Sequence, residues 1–220
     1  LLGRRQRQMC IRDRYRRGLR GMSWKPVHQL EDLVSSFFGS KYGIAVDSCT
    51  HGIELCLRYV GIDELVVPKR TYLSVPFLAH KLNVPLRWKD EDWRDYYEIG
   101  NTGVYDAAVL WRENSYIEDT FMCLSFQFQK HLSLGRGGMI LLDDKEAYNK
   151  LSKMVYDGRI PGIPWRDQNV STIGYHYYMT PETAQLGVDK FFDAITTEPR
   201  QWKLDDWPDL TKMEVFNGRD

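Results

Sequence analysis

Between Tyr116 and Leu142 the chain reads YIEDTFMCLSFQFQKHLSLGRGGMILL, and this stretch constrains the fold more than any other. A carboxylate, Asp119, precedes the alternating apolar run Cys123-Leu-Ser-Phe-Gln-Phe128, which has the period of a half-buried strand. Lys130 follows, then the glycine-rich turn Gly135-Arg-Gly-Gly138, then a second strand-like run from Met139 to Leu142. A lysine framed by two short strands lies at a sheet edge, where a small molecule can reach it. In a partly apolar pocket such a lysine loses proton affinity by desolvation, and its amine can then attack a carbonyl. The spacing leaves a plain surface lysine at a hairpin open as the alternative.

The preceding chain alternates helix and strand. Val27, Leu30, Leu33, Val34 and Phe37 recur at helical spacing and Gly39 closes the segment. Tyr42 to Val46 is a short apolar strand, followed by the small polar turn Asp47-Ser-Cys-Thr-His-Gly52 and a helical run from Ile53 to Val60. Strand, polar turn and helix in that order present free backbone N–H groups and a positive dipole end to an anion. Simple capping by Ser48 or Thr50 explains the same residues. Further strands are expected over 64–68 and 83–88, with a helix between them that Arg70-Thr-Tyr-Leu-Ser74 leads into and that ends near Lys81. Residues 88–101 read as a surface loop or short helix, and 107–111 and 116–119 as one or two more strands. Asp143 to Glu146 caps a helix reaching about Val155, a Gly/Pro-rich connection spans 157–170, and a last helix runs from Pro181 to about Ile195. Alternation of this kind predicts an α/β fold with a mostly parallel sheet flanked by helices.

Composition removes several classes of function. The 220 residues suffice for a proper core. Thirty basic residues balance thirty acidic ones, so no global charge points to nucleic acid or an anionic membrane. No apolar run reaches the roughly 18 residues of a membrane span. The four cysteines show no CxxC pair and no metal-ligand spacing with histidine, so no metal is expected; they read as free thiols of a reducing, cytoplasmic compartment. Residues 1–20 are arginine-rich and without periodicity. They are read as a non-native or disordered extension rather than a basic arm or transit peptide, with Met22 near the true start. Residues 21–195 form the expected domain and 196–220 a tail of charged and aromatic clusters.

Four stretches taken in order carry a resemblance: FGSKYGIAVDSCTHGIEL, VPKRTYLS, IED…SFQFQK with GRGGMI, and GYHYYMTPETAQLG. Together, over roughly residues 30–195, the chain resembles the DegT/DnrJ/StrS-type aminotransferases. These are pyridoxal-phosphate enzymes of fold type I that mostly aminate keto sugars carried on nucleotides. The resemblance implies a fold type I large domain and pyridoxal 5'-phosphate as cofactor. It implies that Lys130 bonds to the cofactor aldehyde and later carries the proton, and that Asp119 pairs with the pyridine nitrogen. Ser48, Cys49, Thr50 and Ser125 would hold the phosphate, and Tyr72 would lie against the ring. Tyr175 and His176 match a position that reaches the neighbouring subunit's cofactor, which implies a homodimer. The implied reaction transfers an amino group, from glutamate, to a nucleotide-linked keto sugar for cell-surface polysaccharide or related amino-sugar synthesis.

The chain departs from that pattern in several places. It is short, with little after residue 195 to build the small C-terminal domain. The stretches before Asp119 and between Asp119 and Lys130 are abbreviated, and Met122, His176 and Tyr178 replace the residues expected there. A degenerate, non-catalytic cofactor- or partner-binding homologue and a truncated reading frame are therefore the competing readings. A dehydratase is disfavoured because Lys130 is kept, and His131 beside it is read as non-catalytic.

Overall fold

A computed structural model describes residues 24–217; the arginine-rich segment 1–20 lies outside the described residues. Helix α1 spans Lys25–Phe38, with Pro26 in its first turn and Gly39 closing it at a φ of 89°, its N–H bonded to the Ser35 carbonyl. A residue without Cβ suits that left-handed stop. Strand β1 (Tyr42–Val46) leads into α2 (Cys49–Val60). Then come β2 (Leu65–Pro68), α3 (Leu78–Leu82), β3 (Leu86–Lys89), β4 (Tyr97–Glu98) and β5 (Val104–Asp106). Strands β6 (Phe121–Ser125) and β7 (Gly138–Leu142) flank the central loop. Helices α4 (Lys145–Val155) and α5 (Pro181–Thr196) follow, and short 3₁₀ turns punctuate the rest.

The architecture is the expected α/β one, a sheet with helices on both faces. Five strands form one sheet in the order β1-β7-β6-β5-β4, and β2 and β3 form a separate parallel pair. The large sheet is mixed rather than mostly parallel: of its neighbouring strand pairs only β5–β6 is parallel. The reason is local. Phe126 to Gly137 returns the chain directly from β6 to its antiparallel neighbour β7, with no helical crossover to reverse it. Residues 97–98, expected in a loop or short helix, supply the edge strand β4. The strand expected at 107–111 falls earlier, at 104–106, and the residues at 116–119 are turn, with β6 beginning only at Phe121.

Period-two alternation sorts the side chains onto the two faces. Ile44, Val46, Cys123, Ile140 and Leu142 point to one core, which α2, α4 and the β2–β3 pair cover. Ala45, Met122, Leu124, Met139 and Leu141 point to the other, covered by α1, α5 and Trp111. All of β7 is therefore buried, which explains its unbroken apolar sequence. Each fully buried leucine or isoleucine contributes about 2 kcal/mol. The outer edge of β1 is closed by groups other than a strand. Glu31 of α1 accepts from the Ala45 N–H at 2.9 Å, and the Tyr177 carbonyl accepts from the Asp47 N–H at 2.8 Å.

The tail after α5, in which the sequence shows little pattern, packs back onto this body. Trp207 and Leu210 are buried, the Leu210 N–H bonds the Lys69 carbonyl, and the Phe216 ring stacks on Phe77.

Candidate active site

The C-terminal ends of β5 and β6, the N-terminus of α2 and the loop carrying Lys130 converge on one cavity of about 530 Å³. Ser48 caps α2, its Oγ accepting from the His51 N–H at 3.2 Å. The first N–H groups of a helix have no intrahelical partner, so this end faces the cavity with free donors and a positive dipole. Hydroxyls cluster there: the Thr50 and Ser74 oxygens lie 2.6 Å apart, and Ser48 and Ser125 line the same wall. Gly138 lets β7 run against this turn. A Cβ on it would stand 2.6 Å from the Cys49 nitrogen and 2.7 Å from the Leu124 carbonyl oxygen.

Lys130 is held from below. Leu132 and Leu134 are buried in the α1–α5 core, and His131 Nε2 donates to the Ala194 carbonyl at 2.7 Å. His131 is thus a structural anchor. Burial pulls the Lys130 amine below the ordinary lysine range, against the pull of Asp106 and Cys49, which favour the ammonium.

Asp106, at the end of β5, is the carboxylate beside Lys130. It is 6% exposed and accepts from the Tyr97 hydroxyl at 2.8 Å and the Ala108 N–H at 3.0 Å. Burial pushes its carboxyl up, while the Tyr97 hydrogen bond, the Ala108 N–H and Lys130 pull the other way. Thr71 and Tyr97 hydroxyls at 2.5 Å extend this buried chain. Burial also pushes Cys49 well up, so its thiol is neutral.

Six of the residues singled out in the sequence therefore meet in this cavity: Ser48, Cys49, Thr50, Tyr72, Ser125 and Lys130. Tyr72 stands at the rim, 56% exposed. Asp119 does not join them. It lies exposed in the turn before β6, at the strand end opposite to Ser125, with a φ of 59°. That left-handed conformation, which aspartate tolerates, accounts for the residue type there. The position expected for Asp119 is filled by Asp106. Its signal was a short apolar strand, Val104-Tyr105, ending in an aspartate followed by two small residues, Ala107 and Ala108. Placing that strand three residues too late hid it.

His176 also stands outside the cavity. Its ring nitrogen pairs with Asp157 at 3.2 Å on the surface, and it lines a separate groove with Asp47, Arg136 and Tyr178. Tyr175 packs on Tyr177 and under Arg58, likewise apart from Lys130. The cavity's other wall was not foreseen: Trp202, Asp206, Trp207, Pro208, Leu210 and Met213 of the tail. Among the described residues no group of three His, Cys, Asp or Glu side chains is placed to hold a metal ion, and no helix is long and apolar enough to cross a membrane.

Fold and site together define an α/β protein with a lysine-centred, anion-accepting cavity. The model of the DegT/DnrJ/EryC1/StrS aminotransferase family matches residues 8–86 and 117–198, and the chain belongs to that family. The match begins inside the arginine-rich segment and passes over 87–116, the stretch that holds Tyr97 and Asp106. No curated protein sequence matches the chain. Among solved structures it is similar to a putative sugar aminotransferase, Spr1654, from Streptococcus pneumoniae (16% identity, TM-score 0.64, covering 78% of this chain and 59% of that one). AtS13 from Actinomadura melliaura is 17% identical at a TM-score of 0.66, with 80% and 61% covered. A GDP-4-keto-6-deoxymannose-3-dehydratase, ColD, solved with GDP-perosamine, is 16% identical at a TM-score of 0.61, with 78% and 61% covered. The chain thus spans about three fifths of the length of the structures it resembles.

Proposed function

We propose that the chain is a pyridoxal-phosphate-dependent aminotransferase acting on a nucleotide-linked keto sugar, with glutamate as amino donor, in amino-sugar or cell-surface polysaccharide synthesis. The observation that carries the reading is that Lys130 and buried Asp106 line one cavity whose far wall is a helix N-terminus lined by hydroxyls. These residues fit the cofactor by their chemistry. Ser48, Cys49, Thr50 and Ser125 offer backbone and hydroxyl donors to a phosphate, and Gly138, lacking a Cβ, lets β7 pack against the turn that presents them. Asp106 offers a fixed negative charge, held by Tyr97 and Ala108, to a protonated ring nitrogen. Tyr72 stands at the rim with a flat face to offer. Asp119 and His176 are not assigned these roles.

When bound, pyridoxal phosphate supplies an aldehyde for the amine and a ring that accepts electrons from the carbon losing its proton. The chain supplies the rest. The Lys130 Nζ, made less basic by burial, gives up its proton more readily than an exposed lysine and so can take and return a proton at that nitrogen. Asp106 keeps negative charge where positive charge must persist. The aromatic tail limits water in the cavity. Retention of Lys130 favours transamination over dehydration. A keto sugar on a nucleotide is the substrate class suggested by the family and by the GDP-sugar held in the ColD structure.

We also infer a homodimer. Ile160, Ile163, Trp165, Val170 and Ile173 leave a run of large apolar side chains exposed on one connection, beside His176. Cys49, Cys56 and Cys123 are free thiols, in keeping with a cytoplasmic setting.

The test is an absorption spectrum of purified protein mixed with pyridoxal phosphate, before and after borohydride. A cofactor band that borohydride fixes to the Lys130 peptide supports the reading, and amino donors and nucleotide sugars can then be screened. No band and an unmodified Lys130 would leave the fold standing and favour a non-catalytic homologue.

A further inference from the structure

The tail after α5 does more than end the chain. Residues 200–213 form a strap along the cavity mouth, anchored to the segment that follows β2. Arg70 donates to the Trp207 carbonyl at 2.8 Å, Trp93 donates to the Arg70 carbonyl at 2.6 Å, and the Leu210 N–H bonds the Lys69 carbonyl at 2.9 Å. Trp93 also packs on Trp207. On this anchored backbone Trp202 and Trp207 stack on each other, 17° from parallel with centroids 5.5 Å apart. Arg200 covers Trp202 at 3.9 Å and is fixed by Asp206 at 3.3 Å. The Lys130 Nζ stands 4.4 Å from the Trp202 centroid and 5.2 Å from the Trp207 centroid.

We propose that Trp202 and Trp207 form a ring-binding roof over Lys130, against which the flat ring of a carbonyl compound bonded to that lysine is held. The inference rests on the cofactor reading above and adds binding residues to it from a part of the chain that the family match, ending at residue 198, does not include. Three observations carry it. The reacting nitrogen already lies at the near edge of the range in which aromatic pairs attract, so a flat group joined to it starts within reach of an indole. The roof is built from behind, by Arg70, Trp93 and Leu210, so the indoles are held in place before any ligand arrives. Two tryptophans are also more aromatic surface than closing a cavity requires; leucine would exclude water equally well. In the free protein the same faces hold the Lys130 ammonium by cation–π attraction. A neutral, conjugated nitrogen exchanges that contact for ring stacking.

The experiment compares wild type with Trp202→Leu and Trp202→Tyr. Leucine keeps the apolar cover and removes the π face, while tyrosine restores a face. Pyridoxal phosphate is the probe. Its dissociation constant is read from the cofactor band, and the label that borohydride fixes is mapped to its peptide. Near-ultraviolet circular dichroism checks that the strap remains folded. The roof predicts that Trp202→Leu weakens binding about five- to ten-fold with the label still on Lys130, and that Trp202→Tyr recovers most of the loss. Trp207→Leu, at the indole farther from the Lys130 Nζ, should weaken it less. Unchanged or tighter binding by Trp202→Leu, with wild type labelled at Lys130, overturns the roof and leaves the cofactor reading intact. A wild-type Lys130 that takes no label overturns both.

Discussion

At the residue scale, the Asp106 carboxylate acts on the Lys130 proton, and its effect has a sign that can be measured. Burial lowers the affinity of Lys130 for its proton and Asp106 raises it. The neutral amine therefore exists above a pKa that lies below the ordinary 10.5. Labelling of Lys130 by pyridoxal phosphate and borohydride should rise with pH earlier than labelling of surface lysines. Asp106→Asn removes the group that holds the proton on, so the labelling midpoint should move down. Asp119→Asn should leave it in place. Stability follows the same sign: the folded chain holds this proton less tightly than the unfolded one. The cost is fully present below the folded pKa and is relieved as pH climbs towards 10.5. From the residues alone, the order of strand, polar turn and helix placed Ser48 and Thr50 at an anion-accepting end and left Lys130 open between a pocket and a surface hairpin; Ser125 was legible only through the resemblance. Asp106 was not legible in the same way. Two carboxylates stand near predicted strand ends, and only the true registers of β5 and β6 decide which one is buried.

At the scale of elements, the close crossing of β7 over the start of α2 makes Gly138 the most sensitive position of the site. An alanine there would press its Cβ into backbone atoms on both sides, the Cys49 nitrogen and the Leu124 carbonyl oxygen, and neither can rotate away. Gly138→Ala should cost about 3 kcal/mol in urea unfolding. It should also lose pyridoxal phosphate binding under conditions where the chain is still folded. Ser48→Ala tests the helix cap separately. It should cost about 1 kcal/mol, and it should weaken pyridoxal phosphate while leaving pyridoxal, which lacks the phosphate, little changed. Equal weakening of both compounds would remove the anion from the α2 terminus. The helices α1, α2, α4 and α5 could be read from apolar spacing because each has a glycine, proline or polar cap at the expected end. The strand directions could not, since antiparallel return through the Lys130 loop leaves no mark in local pattern.

At the scale of the whole molecule, the exposed connection and the packed tail lead to opposite expectations for truncation and assembly. Trp165 is 68% exposed and Ile173 81%, in a region that contributes nothing to the two cores. Trp165→Asp should leave the unfolding midpoint nearly unchanged, while sedimentation shifts from dimer to monomer; a wild type that sediments as a monomer would sink the dimer. The tail behaves otherwise. Its lack of periodicity marks no regular element, but periodicity reports only regular elements. This segment is held instead by single backbone bonds and by rings inserted one at a time.

The position of those rings in the chain gives the strap a place in time as well as in space. A polypeptide emerges from the ribosome N-terminus first and its elements gather as they appear. The turn at Ser48, the carboxylate at Asp106 and the amine at Lys130 are all outside long before Trp202 and Trp207 are made. During that interval the pocket is an open bowl whose lysine faces water. Arrival of residues 200–213 shuts it, so the reactive amine reaches its final surroundings only after the rest of the site is in place.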